Sequence, residues 1–265
     1  MMKVSIITIV YNNAANIETC LQSVICQSYQ NIEYIIIDGG STDSTVDIIH
    51  SYQSRLKNLT FISEKDNGLY NALNKGIRMA TGDIIGILHS DDLFYSENVI
   101  SEVAEIFNST NADLVYANGM YVDKSDINKI KRIYKSSGFK RYRLQFGWIP
   151  LHTTIYVKQN IFTKYGLYEE KYKIAGDYEI SLRWFTNENI RKVFLNKWVV
   201  KMRLGGKSTT LGLQKLKSSE DLVIIRKYKL SGYFTLASKI IRKIHQYIYP
   251  YLLSVKNEKR VSGIN

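Results

Sequence analysis

The sequence predicts an α/β fold, a largely parallel sheet flanked by helices and followed by a helical tail. Three observations carry that prediction. Short, nearly continuous apolar runs recur through the first hundred residues, helical apolar periodicity separates them, and each run ends on small or polar residues. The 265 residues suffice for one large domain with a sizeable core, or for two small domains. A hydrophobic fraction of 45% and a charged fraction of 23% are ordinary for a globular protein and exclude disordered, collagen-like and coiled-coil classes.

The elements follow in order. Val4–Val10 reads as a buried strand, and Asn16 is expected to cap a helix through Ile17, Leu21, Val24 and Ile25. Glu33–Asp38 is a second strand, almost unbroken in apolar character as buried parallel strands are. Gly39–Asp43 turns into a helix holding Val46, Ile48 and Ile49, and Phe61–Ile62 is a short third strand. Leu69, Leu73 and Ile77, four apart, give the next helix an apolar face. Ile84–Leu88 is the fourth strand and runs straight into His89-Ser90-Asp91-Asp92. Then the pattern changes. A helix through Val99, Val103 and Ile106 precedes strands expected near 113–117, 120–123 and 129–134. A basic loop leads to Trp148-Ile149-Pro150 and a strand near 153–157. Asp177 opens a helix with Tyr178, Leu182 and Phe185 on one side, and strands at 192–195 and 198–202 end at Gly205-Gly206-Lys207-Ser208. In the tail, Leu236, Ile240, Ile241, Ile244 and Ile248 form one helical face that Pro250 is expected to end.

The formal net charge of +12 is unevenly spread. Residues 127–168 contain no acid against nine Lys and Arg, and from Thr209 onward eleven bases face three acids. Such a field suits nucleic acid, an anionic membrane surface or a polyphosphate ligand. Cys20 and Cys26 are six apart on a helix, do not face each other, and are expected as free thiols of a reducing compartment. The first strand begins at once, leaving no room for a signal peptide, and no apolar run reaches the 18 residues of a membrane span.

Ligands of open α/β sheets bind at the carboxyl ends of strands. Three such ends carry polar residues here: Tyr11-Asn12-Asn13, Asp38-Gly39-Gly40 and Ser90-Asp91-Asp92. The Gly39–Thr42 turn is no GxGxxG fingerprint and no Walker lysine follows a strand, so nicotinamide and P-loop chemistries are disfavoured. Asp38 can accept hydrogen bonds from a ribose hydroxyl or a base N–H; Asp43 serves equally as a helix cap. Adjacent carboxylates such as Asp91 and Asp92 are expensive unless they share a cation, and Mg²⁺ or Mn²⁺ with a diphosphate suits oxygen ligands. The competing reading is acids favoured at a helix start.

Taken together, VSIITIVYNN, IIDGGSTDST, EKDNGLYNALNKG and ATGDIIGILHSDD, in that order over residues 3–95, resemble the inverting glycosyltransferases of family 2 with their GT-A fold. PLHTT at Pro150–Thr154 and IAGDYEISLRW at Ile174–Trp184 are similar to that family's acceptor half, and the tail lies outside the resemblance. The resemblance implies a GT-A domain over 1–208, with a Rossmann-like nucleotide-sugar half at 1–95 and an acceptor half at 96–208, then a basic tail at 209–265. It implies that Thr8, Val10, Tyr11 and Asp38 hold the base and ribose. Asp66 would be a nucleotide contact with Lys75 and Gly82-Asp83 nearby, and Ser90 and Asp91 complete the nucleotide set. Asp91 would be the principal ligand of Mn²⁺ or Mg²⁺, with Asp92 beside it. Asp177 would be the base that deprotonates the acceptor hydroxyl; a plain helix cap is the other reading.

One position departs from the family pattern. His89 stands where Asp or Asn is more common, and it can still donate to ribose or pyrophosphate. His152 and Arg183, and Gly206 and Lys207 in the glycine turn, are candidate diphosphate or acceptor contacts, each with a purely structural alternative.

The expected reaction moves a hexose or N-acetylhexosamine from a nucleotide diphosphate sugar, foremost a UDP-sugar. The expected acceptor is a hydroxyl of a polyprenyl-diphosphate-linked saccharide in surface-polysaccharide assembly, with a β linkage. The basic amphipathic tail suits the anionic inner face of the cell membrane, making the enzyme cytoplasmic and peripheral, or else packs on the domain. A nucleic-acid binder would not cluster Asp38, Asp66, Asp91 and Asp92, and a nucleotidyltransferase would carry a Gly-rich basic loop where Tyr11–Ala14 stands.

Overall fold

A computed structural model describes residues 1–56, 58–205 and 211–261, with backbone alone at 211, 212 and 249–261. One mixed nine-stranded sheet runs through the molecule in the order β3-β2-β1-β4-β8-β6-β9-β5, with β7 paired to β6. β1 (Val4–Val10), β2 (Ile32–Asp38), β3 (Leu59–Ser63) and β4 (Ile84–Ile87) are parallel. Helices α1 (Ala14–Ile25), α2 (Thr45–Tyr52) and α3 (Leu69–Met79) cross between them, so two apolar layers bury both faces of the sheet. Register aligns Val10 with Asp38 and Asp38 with Ser63, which brings three loops to one sheet end.

After the two-residue β5 (Leu93–Phe94) and α4 (Val99–Ser109), the sheet turns antiparallel. β6 (Leu114–Val122) pairs with β7 (Ile130–Tyr134) and β8 (Ile155–Lys158), and runs parallel to β9 (Lys192–Arg203). The strand pairs expected at 113–123 and 192–202 are single long strands with register shifts at Tyr116/Asn118 and Asn118/Gly119. Asn118 is accommodated mid-strand because its side chain accepts from Ser136 N–H at 2.8 Å and donates to Asn196 Oδ1 at 3.2 Å. Helix α1 starts at Ala14 with Asn13 in the N-cap position, so Asn16 sits inside the first turn. Helices α5 (Gln159–Tyr165) and α6 (Gly176–Thr186) flank the loop that leads to Asp177.

The tail forms α7 (Leu211–Lys227) and α8 (Gly232–Val261). α8 continues past Pro250, since one missing N–H weakens a helix without barring its resumption. Ile224 and Ile225 are wholly buried in the main core. Thr235 Oγ1 donates to Gln145 O at 2.8 Å, and Arg132 Nε donates to Gln246 Oε1 at 2.7 Å. The tail therefore packs on the sheet domain through at least Gln246. Both cysteines are free, Cys20 buried and Cys26 exposed.

Candidate active site

The loops after β1, β2 and β4 converge, and most of their carboxylates are already engaged. Asp38 Oδ2 accepts from the N–H groups of Gly40 (3.1 Å) and Ser41 (2.9 Å) and from Ser63 Oγ (2.6 Å), while Oδ1 accepts from Ser41 Oγ. Asp38 thus closes the Gly39–Ser41 turn with every donor in reach. Asp43 accepts from Thr45 and from Ala14 N–H, and the Thr45 hydroxyl holds its carboxyl below the usual range. Asp43 thus closes the turn that enters α2, whose N-cap position is Ser44. Asn12, at φ 47°, accepts from Thr42 N–H at 2.8 Å and fastens the first loop to the second.

Between the loops lies a slot. A Cβ on Gly39 would stand 3.4 Å from both Asp66 Oδ2 and the Tyr11 ring, so the missing side chain keeps that space open. Tyr11 is 51% exposed there. Asp66 is nearly buried and paired at 2.6 Å with Lys75, which also reaches Glu64 at 2.7 Å. The structure thus brings Tyr11 and Asp66 to the two sides of Gly39, with Lys75 bonded to Asp66. Thr8 and Val10 do not join them at the surface. Thr8 Oγ1 donates inward to Leu88 O at 2.7 Å, and Val10 packs in the α1-side core. Gly82 and Asp83 precede β4, at the end of the strand opposite the cleft, where Asp83 accepts from Lys3 N–H at 2.7 Å.

After β4 the two acids separate in role. Asp91 is half-buried, and its carbonyl accepts from Arg203 Nη1 at 2.7 Å. Asp92 is buried: its N–H donates to His89 O at 2.9 Å, and Oδ1 accepts from Arg203 N–H at 3.2 Å. Burial, then the Asp91 charge, pushes the Asp92 carboxyl well above its usual range. Its Oδ2 has no hydrogen-bond partner among the described residues. Ser90 is buried and accepts from Asn13 Nδ2 at 2.9 Å.

A divalent ion fits this donor set only with help. Asp91 and the orphaned Asp92 oxygen are suitable hard ligands, but no group of three or more His, Cys, Asp or Glu among the described residues could hold a metal. An ion bound there would draw the rest of its shell from a diphosphate and water.

Asp177 stands in the first turn of α6, and a chain of imidazoles links it to the β4 end. His152 Nδ1 lies 3.4 Å from Asp177 Oδ2, and His152 Nε2 lies 2.7 Å from His89 Nε2. Burial pushes His152 down to about 4 and lowers His89 as well. Both rings are thus neutral near pH 7, and a His152 tautomer with Nδ1–H facing Asp177 accepts at Nε2 a hydrogen bond from His89 Nε2–H. Burial opposes ionisation of Asp177, yet His152, Lys217 and Lys239 outweigh it and leave the carboxyl below its usual range. Asp177 Oδ1 has no hydrogen-bond partner among the described residues.

Three further groups set this carboxylate in place. Tyr70 of α3 donates to Ile174 O at 2.7 Å and accepts from Asp177 N–H at 3.2 Å. Gly176 permits it, because a Cβ there would meet the Tyr70 ring at 2.8 Å. Glu220 of α7 accepts from the N–H groups of Lys173, Ile174 and Ala175 at 2.8, 3.0 and 2.8 Å. Neither Tyr70 nor Glu220 was expected from sequence; the only signal for Glu220 is an acidic pair, Glu220-Asp221, within a basic helix. Arg183 is turned elsewhere. It pairs with buried Glu179 and donates to the carbonyls of Tyr165, Gly166 and Leu167 at 3.1, 3.1 and 2.8 Å, closing the end of α5. Gly206 and Lys207 lie outside the described residues.

Comparison with known proteins agrees with this architecture. A PGL/p-HBAD biosynthesis glycosyltransferase of Mycobacterium bovis is 29% identical over 211 residues, covering 78% of this chain and 79% of that protein. An uncharacterized glycosyltransferase of Rickettsia prowazekii is 27% identical over 226 residues, 83% of this chain and 70% of that one. Among solved structures, S. aureus TarS 1–349 in complex with UDP-GlcNAc superposes with a TM-score of 0.65 at 18% identity, over 88% of this chain and 69% of that one. The mannosyltransferase PcManGT from Pyrobaculum calidifontis, in complex with GDP-Man and Mn²⁺, gives 0.65 at 16% identity, over 91% and 73%. These two show the shared GT-A fold. Residues 5–170 match the family model for glycosyl transferase family 2, and the chain belongs to that family: it is a glycosyltransferase acting on a nucleotide sugar.

Proposed function

We propose that this chain is an inverting transferase that moves a hexose or N-acetylhexosamine from a UDP-sugar to a hydroxyl of a lipid-diphosphate-linked saccharide, with a β linkage, in surface-polysaccharide assembly. The observation that carries the inverting reading is Asp177: an ionised carboxylate, with one oxygen unpartnered among the described residues, at the helix start facing the His152–His89 pair. The acceptor hydroxyl gives its proton to Asp177 as its oxygen attacks the anomeric carbon, and the bond from that carbon to the diphosphate breaks on the opposite face. One base suffices and no covalent intermediate forms. Tyr11 and Asp66 flank the slot that takes the base and ribose, and His152 keeps the Asp177 carboxylate turned toward the acceptor. Asp91, with Asp92, would hold Mn²⁺ or Mg²⁺, which neutralises charge on the departing diphosphate. UDP-GlcNAc in one related structure, and GDP-Man with Mn²⁺ in the other, support a nucleotide diphosphate sugar donor and a divalent ion.

Membrane association is part of the same reading. Among the described residues no helix is long and apolar enough to cross a membrane. Tyr233, Phe234, Ile241, Ile244, Tyr247 and Ile248 of α8 are each 46–69% exposed on a basic helix, as suits a peripheral contact at the inner face.

The deciding experiment is Asp177→Asn with a panel of nucleotide sugars, lipid-diphosphate saccharides and Mn²⁺, Mg²⁺ or chelator. The substitution should cut transfer about 10²- to 10⁴-fold, the range for a lost general base, while leaving nucleotide-sugar affinity nearly unchanged. Transfer near the wild-type rate would remove Asp177 from that role.

A further inference from the structure

The basic half of the molecule concentrates charge at one place. Lys239 of α8 is bonded to Asp221 of α7, which places Lys217, one turn before Asp221, and Lys243, one turn after Lys239, beside that contact, and Arg132 of β7 bonds Gln246 of the same helix α8. Burial, followed by repulsion from Lys217, Lys239 and Arg132, pushes the Lys243 ammonium down to about 8. Lys239 is paired with Asp221 at 2.8 Å, and its Nζ stands 3.3 Å from the ring centroid of Tyr178, the residue after Asp177. Arg132 is fixed against the rings of Tyr121 at 4.7 Å and Tyr247 at 5.4 Å. Lys217 and Lys239 both act on the Asp177 carboxylate. Among the described residues Lys217 and Lys243 have no ion-pair partner, so Asp221 is the one carboxylate bonded into the cluster. Half-buried like charges of this kind are unfavourable until a multivalent anion joins them.

We propose that Lys217, Lys239, Lys243 and Arg132 form an acceptor-side anion site that binds the diphosphate of a lipid-linked acceptor while its sugar hydroxyl meets Asp177. The proposal rests on the transferase reading above. The donor's own diphosphate falls to the carboxyl ends of β1, β2 and β4, as ligands of open α/β sheets do, and none of the four cations comes from those strands. The site explains why the tail is built into the domain: two of its helices supply three of the four cations.

Thermal shift and titration of the full chain test it, with geranyl diphosphate, geraniol, inorganic pyrophosphate and UDP–Mn²⁺ as probes. The variant is Lys217→Met/Lys243→Met, which removes two mutually repelling charges and should melt at or above the wild-type temperature without ligand. Geranyl diphosphate should stabilise the wild type additively with UDP–Mn²⁺. The double variant should bind it at least about tenfold more weakly, the loss expected of a charge-assisted hydrogen bond, and keep its response to UDP–Mn²⁺. Pyrophosphate matching geranyl diphosphate would assign the site to the diphosphate alone; a larger effect of geranyl diphosphate would add the lipid. Three results would overturn the proposal: displacement of geranyl diphosphate by UDP–Mn²⁺, undiminished binding by the double variant, or an equal effect of geraniol. A wild type indifferent to UDP would count against the donor assignment, and the dependence on the lysines would still decide the anion site.

Discussion

The two walls of the cleft treat charge in opposite ways. On the donor wall, Asp38 and Asp43 are satisfied by neighbouring hydroxyls and N–H groups, and Asp66 by Lys75. On the acceptor wall, Asp177 keeps a carboxylate oxygen unpartnered among the described residues, as Asp92 does at the β4 end where the two walls meet, and Lys217 and Lys243 lack ion-pair partners there. A wall whose polar groups are already paired is rigid and receives its ligand without rearrangement. The opposite wall retains its unsatisfied groups for the partners that react, where interaction lowers the barrier.

The contrast depends on α7 and α8, and removing them should break it most severely. A chain ending at Gly212 loses Ile224 and Ile225, both wholly buried, at about 2–5 kcal/mol for each large buried aliphatic side chain. It should therefore be insoluble or melt without cooperativity; a soluble, cooperatively folded fragment would contradict the tail's structural role. A smaller effect probes the imidazole chain. Burial takes the His152 pKa from the ordinary imidazole range down to about 4 in the folded state, so the unfolded chain binds the extra proton first as pH drops. Stability should decline between about pH 6.5 and 4 by about 3 kcal/mol at 1.36 kcal/mol per unit, then level off for this group. His89, Asp177 and Lys217 face the ring and stay in place in His152→Asn, whose denaturation curves should be flatter over that window. Glu33, pushed down to about 2 chiefly by contacts with Lys3, Ser5 and Thr81 that outweigh its burial, acts separately, its contribution disappearing only below about pH 4.5. The mildest test sharpens the acceptor wall alone. Glu220→Ala should lower kcat about tenfold with donor KM unchanged, about 1.4 kcal/mol of misplacement, and Glu220→Gln should restore only part of it, because its amide oxygen can accept from Ile174 and Ala175 while its NH2 then faces the Lys173 N–H. Equal kcat in Glu220→Ala would mean that the 173–175 loop holds itself.

The donor wall was far more legible in the sequence than the acceptor wall, for physical reasons. β1, β2 and β4 are buried on both faces, so their apolar runs are continuous and end at the polar loops. β6 and β9 carry Asn118, Asn196 and Lys197, which read as turns; pairing of the two asparagines across strands hides that exception from a single-strand reading. Asp66 and Lys75 lie nine residues apart and meet through one loop and one helix. Glu220 and the lysine cluster reach Asp177 only after the chain has crossed the sheet, a proximity that no local periodicity encodes. The helical apolar face of the tail was visible, but of its residues only Leu236 packs on the core, while Ile240, Ile241, Ile244 and Ile248 stay exposed.

Helix α3 bridges the two walls. Tyr70 grips both sides of the Asp177 turn, Asn74 bonds the Tyr168 backbone in both directions at 2.9 Å, and the Tyr70 and Tyr168 rings stack at 5.5 Å. Donor recognition and base placement are therefore inherited as a unit. A chimera that spliced a relative's acceptor half onto this donor half near residue 95 would pair a foreign 166–177 loop with a helix shaped for another. Exchanging α3 together with the acceptor half is the cut that keeps the grip intact.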